Sequence, residues 1–167
     1  VMLCPPQIYT RNNFDVPIVN RVYDNIHSFA HMSNLMSCLD IHVPLSNYTL
    51  SYNLAKRIGY WDTCADAIGE DFHTMEKAFW KTHGELITVP IYVAFNQVNL
   101  QSGSYFGDIQ ARFWQAERHA QGVADVAYSL NQFIKTRICS FRALVVTYYI
   151  FECFAVTATL PWVAISS

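Results

Sequence analysis

Residues 143–165 hold 23 positions and one charge, Glu152. As a helix this stretch is about 34 Å long, enough for a hydrocarbon core of roughly 30 Å. It can therefore be a membrane span, an interfacial helix or a buried core helix. Spanning is the reading its length and single charge favour. Lys135, Arg137 and Arg142 stand just before it, as basic residues do at the cytoplasmic end of a span. They would leave the preceding 142 residues in the cytoplasm. Glu152 would then need a partner helix, water or a proton, and Pro161 would kink the last turns. The whole chain leans the same way, with 52% hydrophobic and 14% charged residues against roughly 25% charged in soluble domains.

Before that stretch, helical and strand-like segments alternate, which is an α/β pattern. Residues 18–39 repeat apolar side chains at helical spacing (Val22, Ile26, Phe29, Ala30, Leu35, Met36, Leu39) and predict an amphipathic helix. His27 and His31 share one face of it, four apart. No carboxylate pattern accompanies them, so they read as surface or core histidines rather than a metal pair. Residues 47–51 predict a short strand and 54–58 a short helix closed by Gly59. Residues 68–83 predict a helix with Phe72, Met75, Phe79 and Trp80 inward. Residues 85–95 are rich in β-branched side chains, but Pro90 confines them to an edge or irregular strand. A further helix is expected over 106–121, broken by Gly122, and another from about Ala124. Residues 1–135 form one domain in this reading and 136–167 a basic segment leading into the apolar one.

The net charge is −2 with no run of either sign, so no nucleic-acid footprint is present. Five scattered cysteines without a Cys-x-x-Cys pair argue for reduced thiols and against a disulfide framework or a zinc site. Asn47-Tyr48-Thr49 matches a glycosylation sequon that a cytoplasmic domain would not use. There is no Gly-x-Ser-x-Gly elbow for a hydrolase with a histidine base.

Two polar clusters carry the chemistry. Glu70 and Asp71 open a predicted helix, where unpaired N–H groups and the positive dipole end favour ionised carboxylates. Adjacent helical positions point about 100° apart, so one acid can act as a base while the other braces the helix end. Taken alone, the pair is better explained as ordinary first-turn charge, because acids are common there. On the second cluster, Gln115, Arg118 and His119 lie three and four residues apart on one helical face. That face offers an amide, a guanidinium suited to phosphate and a flat ring. A solvated surface explains this cluster alone.

In combination they resemble a known family. Leu54-Ala-Lys-Arg-Ile-Gly-Tyr-Trp-Asp-Thr63 followed by Ala67-Ile-Gly-Glu-Asp71, Thr88-Val-Pro-Ile-Tyr92, Ser104-Tyr-Phe-Gly-Asp108, and Gln115-Ala-Glu-Arg-His119 with Gly122 resemble successive motifs of processive, family-2-like glycosyltransferases. The last two of these motifs resemble a membrane-bound subgroup known chiefly from fungi and other microbial eukaryotes, in which histidine replaces the tryptophan of Gln-x-x-Arg-Trp. The resemblance covers about residues 1–135 and implies the acceptor-side half of a GT-A (nucleotide-diphospho-sugar transferase) fold, followed by a membrane-associated helix.

It also implies roles. Asp71 would be the general base, with Glu70 its neighbour. Gln115 and Arg118 would contact the diphosphate and the acceptor end, His119 would pack near the acceptor sugar, and Trp61 and Asp62 would line the acceptor side. The function implied is that of an integral membrane, inverting, hexosyltransferase-like enzyme. It would move a sugar from a nucleotide-sugar donor to a carbohydrate or lipid-linked acceptor with a divalent metal, Mg or Mn. The family's Asp-x-Asp metal motif does not occur in these residues, so metal and nucleotide ligands are expected outside this chain, which reads as a fragment inactive by itself. The competing reading is a non-catalytic membrane scaffold or partner-binding protein that keeps the transferase fold.

Overall fold

The computed structural model describes residues 1–37, 40–61, 69–138 and 140–156. The chain divides into two compact units, one of residues 1–51 with 87–117, the other of residues 52–86 with 118–167.

The first unit is mixed α/β. Strands β1 (Met2–Cys4), β3 (Thr49–Leu50) and β4 (Thr88–Pro90) form a sheet in the order β3-β1-β4. β1 runs antiparallel to β3, with Met2 opposite Leu50, and parallel to β4, with Met2 opposite Thr88 and Cys4 opposite Pro90. β4 is an edge strand ending at the proline, as Pro90 predicts, because proline has no N–H to continue the ladder. β2 (Gln7–Ile8) pairs parallel with β5 (Phe95–Asn96). Helix α1 (Ile18–Leu35) packs on β2, and helix α4 (Tyr105–Ala120) begins in this unit.

Helix α1 forms over the predicted residues but turns the opposite face inward. Val22, Ile26, Phe29, Ala30 and Met36 are exposed, and of the expected inner residues only Leu35 is buried; Leu39 lies outside the described residues. The buried stripe is polar: Asn20, Asp24, Ser28, His31 and Asn34. Four of the five meet partners outside the helix. Asn20 Nδ2 donates to the Asp108 carbonyl at 3.1 Å, and Asp24 pairs with Arg112. His31 Nδ1 accepts from the Gln7 N–H at 3.2 Å. Asn34 brackets Val43, donating to its carbonyl at 2.9 Å and accepting from its N–H at 3.3 Å. Unpaired buried backbone groups cost about 1–3 kcal/mol each, and these side chains satisfy them. His27 lies tilted against Tyr23, ring centroids 4.5 Å apart, while His31 is buried.

The second unit is helical among its described residues: α2 (Tyr52–Ile58), α3 (Glu70–Lys81), α5 (Val123–Thr136) and α6 (Phe141–Phe151), with a π-helical turn at Glu152–Val156. α3 packs on α2 and α5, and α6 packs on α5. Met75, Phe79 and Trp80 form the buried face of α3 as its spacing predicts; Phe72 is half-buried, edge-on to Phe154. Ser140 caps α6, its Oγ accepting from the Ala143 N–H at 3.2 Å.

Of the apolar run, the described residues form α6 and the π-helical turn Glu152–Val156 that follows it. α6 ends at Phe151, it buries Ala143, Val146 and Ile150, and residues 157–165 lie outside the described residues. No helix among the described residues is long and apolar enough to cross a membrane. Arg142, expected as a basic flank, donates to the carbonyls of Gly84 (2.9 Å) and Leu86 (2.6 Å), tying the start of α6 to the segment after α3.

Candidate active site

In the second unit the acid pair sits at the first turn of α3. Gly69 is the N-cap, Glu70 is exposed and Asp71 half-buried. The Asp71 carboxylate accepts from the Phe72 N–H at 2.9 Å, holding its charge at the positive end of the helix. Behind the pair stands a cluster that the sequence reading passed over. His73 Nδ1 meets Asp125 Oδ1 at 3.0 Å, and the His73 ring lies against Tyr128 with centroids 4.5 Å apart. A Cβ at Gly69 would stand 3.3 Å from Asp125 Oδ2, so Asp125 touches α3 on both sides of Glu70-Asp71. Glu76, one turn further, is fully buried, and neither carboxyl oxygen has a hydrogen-bond partner among the described residues. Burial, with the Asp125 charge adding to it, pushes its carboxyl up to about 9, so it is neutral at pH 7.

Trp61 is half exposed on the turn after α2. Gly59 (φ 79°) and Tyr60 (φ 64°) both take left-handed conformations there, and the Tyr60 N–H returns to the Ala55 carbonyl at 2.7 Å. Two α3 lysines hold this turn: Lys77 Nζ donates to the Tyr60 carbonyl at 3.2 Å and Lys81 Nζ to the Ile58 carbonyl at 2.8 Å. The structure thus brings the Trp61 turn and the helix of the acid pair together. Asp62 lies outside the described residues. Arg118 and His119 are exposed on the last turn of α4.

In the first unit Gln115 is half-buried. Its Oε1 accepts from Arg112 Nη1 at 2.5 Å, and Arg112 Nη2 meets Asp24 Oδ2 at 2.6 Å. The Arg112 guanidinium also lies over the Tyr23 ring, 5.1 Å from its centroid. Asp24 is buried, and desolvation pushes its carboxyl up to about 6 even against the pull of Arg112. Nearby, the Ser104-Tyr-Phe-Gly-Asp108 motif forms the start of α4, and its Ser104, Tyr105 and Asp108 border an open cavity of about 700 Å³ together with Asp15 and Arg21. Asp108 Oδ1 accepts from the Ser102 N–H at 2.5 Å and from Ser102 Oγ at 3.0 Å, bracing that loop.

Comparison with protein families finds that residues 2–167 match a family described as glycosyl transferase family group 2. The chain belongs to that family. Comparison with curated proteins and with solved structures finds no match. As a family group 2 glycosyl transferase, the chain is a transferase of sugars from a nucleotide-sugar donor to an acceptor.

The family-2 likeness of the sequence is therefore shown at family level, over residues 2–167 rather than 1–135 alone. The mixed α/β structure is consistent with a GT-A-like domain. This glycosyl transferase presents an ionisable acid pair on one rigid helix, braced by His73 and Asp125. It also presents an amide held by a buried arginine on another. Arg112 was within reach of the sequence reading, three residues before Gln115 on the same face. Asp24 and Asp125 were not, since only the fold carries them to their partners. Among the described residues no three His, Cys, Asp or Glu side chains converge to hold a metal ion. They do not fit the divalent cation the resemblance implies, and no step below runs through one.

Proposed function

We propose that this glycosyl transferase is an inverting enzyme in which Asp71 is the general base. The acceptor hydroxyl oxygen attacks the anomeric carbon of the donor sugar, the bond from that carbon to the diphosphate oxygen breaks, and the hydroxyl proton passes to Asp71. Charge gathers on the leaving diphosphate, where Arg118 supplies a guanidinium and Gln115 an amide. Glu70 braces the start of α3, and His119, Trp61 and Asp62 line the acceptor side. The observation that carries this reading is the Asp71 carboxylate held at the N-terminus of α3, in a chain whose family transfers sugars.

We further propose that the acceptor is a carbohydrate or a lipid-linked sugar and that the enzyme works at a membrane, its catalytic residues on the cytoplasmic side. The nearly uncharged residues 143–165 support that placement. The absence of Asp-x-Asp from these residues supports a donor and metal site (Mg or Mn) built by groups outside them. An Asp-x-Asp after a strand elsewhere in the intact protein favours the enzyme, and its lack there favours the second reading, a non-catalytic membrane scaffold or partner-binding protein.

Asp71→Asn in the intact protein decides between them. Transfer is expected to fall by at least about a hundredfold, the usual worth of a positioned base, with nucleotide-sugar binding by calorimetry unchanged. Normal turnover in the variant removes Asp71 from the reaction. Failure of the unmodified protein to bind any of a panel of nucleotide sugars favours the scaffold.

A further inference from the structure

We propose that Arg112 is a positioning residue for Gln115: braced by Asp24, it fixes the amide so that the Nε2 amino group is the face offered to substrate. This rests on the reading that Gln115 meets the donor or acceptor. A guanidinium only donates hydrogen bonds and an amide has one accepting end. Arg112 Nη1 at 2.5 Å must therefore face the oxygen of the Gln115 amide. The amino end is left pointing elsewhere, with two hydrogens to donate.

The brace is rigid. Both terminal nitrogens of one planar fork are engaged, Nη1 on Gln115 and Nη2 on Asp24 at 2.6 Å, and the guanidinium carbon stands over the Tyr23 ring. The side chains of Arg112 and Asp24 are 8% and 2% exposed. A buried ion pair of this kind is a weak source of net stability, so its geometric effect on Gln115 is the stronger reason for an arginine there. A lysine in its place would have a single ammonium on a flexible stem and could not fork between the two.

The consequence concerns the ligand. The group that meets Gln115 is an oxygen lone pair: a phosphate oxygen of the nucleoside diphosphate, or a sugar hydroxyl oxygen that donates its own proton elsewhere. An enzyme with the amide reversed would select a hydroxyl proton instead.

The test uses the intact protein with Arg112→Lys, Gln115→Ala and the double variant. Each single variant is expected to lose about tenfold in kcat/KM, the worth of one hydrogen bond to a charged or polar oxygen. The double variant is expected to lose no more than either alone, because both remove the same contact. Losses that multiply overturn the proposal, since a merely structural Arg112 would act independently of Gln115. A rise confined to the donor KM assigns the lone pair to the diphosphate, and one confined to the acceptor KM assigns it to the sugar.

A second measurement does not need turnover. In protein labelled with ¹⁵N at glutamine side chains, the Gln115 NH₂ pair is identified by its loss in Gln115→Ala. It is expected to be displaced from free-glutamine positions and to return to them in Arg112→Lys. An unchanged pair in Arg112→Lys overturns the proposal. A shift on Arg112→Lys in a protein that transfers no sugar upholds the Arg112–Gln115 link and removes the transferase role assigned to it.

Discussion

Glu76→Gln tests the electrostatics behind the acid pair. Glu76 is completely buried on α3 without hydrogen-bond partners for its carboxyl oxygens among the described residues, and its carboxyl rises from 4.5 to about 9. The folded protein therefore holds a proton that the unfolded chain releases. Stability from this group is fully present below about pH 4.5 and is lost as pH rises towards about 9, by about 1.4 kcal/mol per pH unit. Between about pH 5 and about pH 8 the loss amounts to about 4 kcal/mol. Glutamine has the same shape and no proton to release. Its buried amide leaves donors without partners, at about 1–3 kcal/mol, but that penalty is the same at every pH. The difference in unfolding free energy between Glu76→Gln and the unmodified protein should thus move by about 4 kcal/mol in favour of the variant from about pH 5 to about pH 8. Urea unfolding at both pH values measures it, followed by the fluorescence of Trp80, buried one turn beyond Glu76. Parallel pH profiles for the two proteins would refute the claim that Glu76 is buried as the neutral acid.

Two further predictions follow from the packing. Asn34→Ala should cost at least about 2 kcal/mol, because it strips partners from both the N–H and the carbonyl of buried Val43. Ile26→Gln on the exposed stripe of the same helix should stay within about 0.5 kcal/mol; chemical denaturation of both checks this, and the reverse order would mean α1 faces the other way. Gly69→Ala should lose about 1 kcal/mol from a poorer N-cap and the approach to Asp125. Part of that loss should vanish in an Asp125→Ala background, and a thermal double-mutant cycle showing strict additivity would remove Asp125 from the support of the acid pair.

Most elements could be read from local chemistry. The start of α3 follows from Gly69 and two acids, the end of α2 from Gly59, and the edge position of β4 from Pro90, since each depends on residues a few places apart. The face of α1 could not be read in this way. A 3.6-residue stripe of apolar side chains and a complementary stripe of polar ones carry the same period, and hydrophobicity alone chooses the first. The polar stripe faces inward because Gln7, Val43, Asp108 and Arg112 supply partners for it, and those partners come from as far as 88 residues along the chain. Helix α6 is similar: an apolar run has no period to say whether lipid or protein covers it, and in the fold α6 packs on α5 and buries Ala143, Val146 and Ile150.

The sequence by itself determined the chemistry available to this protein: an acid pair opening one helix, Gln-x-x-Arg-His closing another, and a family likeness carried by short motifs in fixed order. Those depend on residue type and spacing, which survive without a fold. Only the tertiary structure decided what supports them. Arg112 and Asp24 hold Gln115, and Asp125 touches Gly69 and His73 on either side of the acid pair. The Asp24–Arg112 and His73–Asp125 pairs join residues 88 and 52 positions apart. No local propensity encodes them, because they exist only once packing has closed the intervening chain.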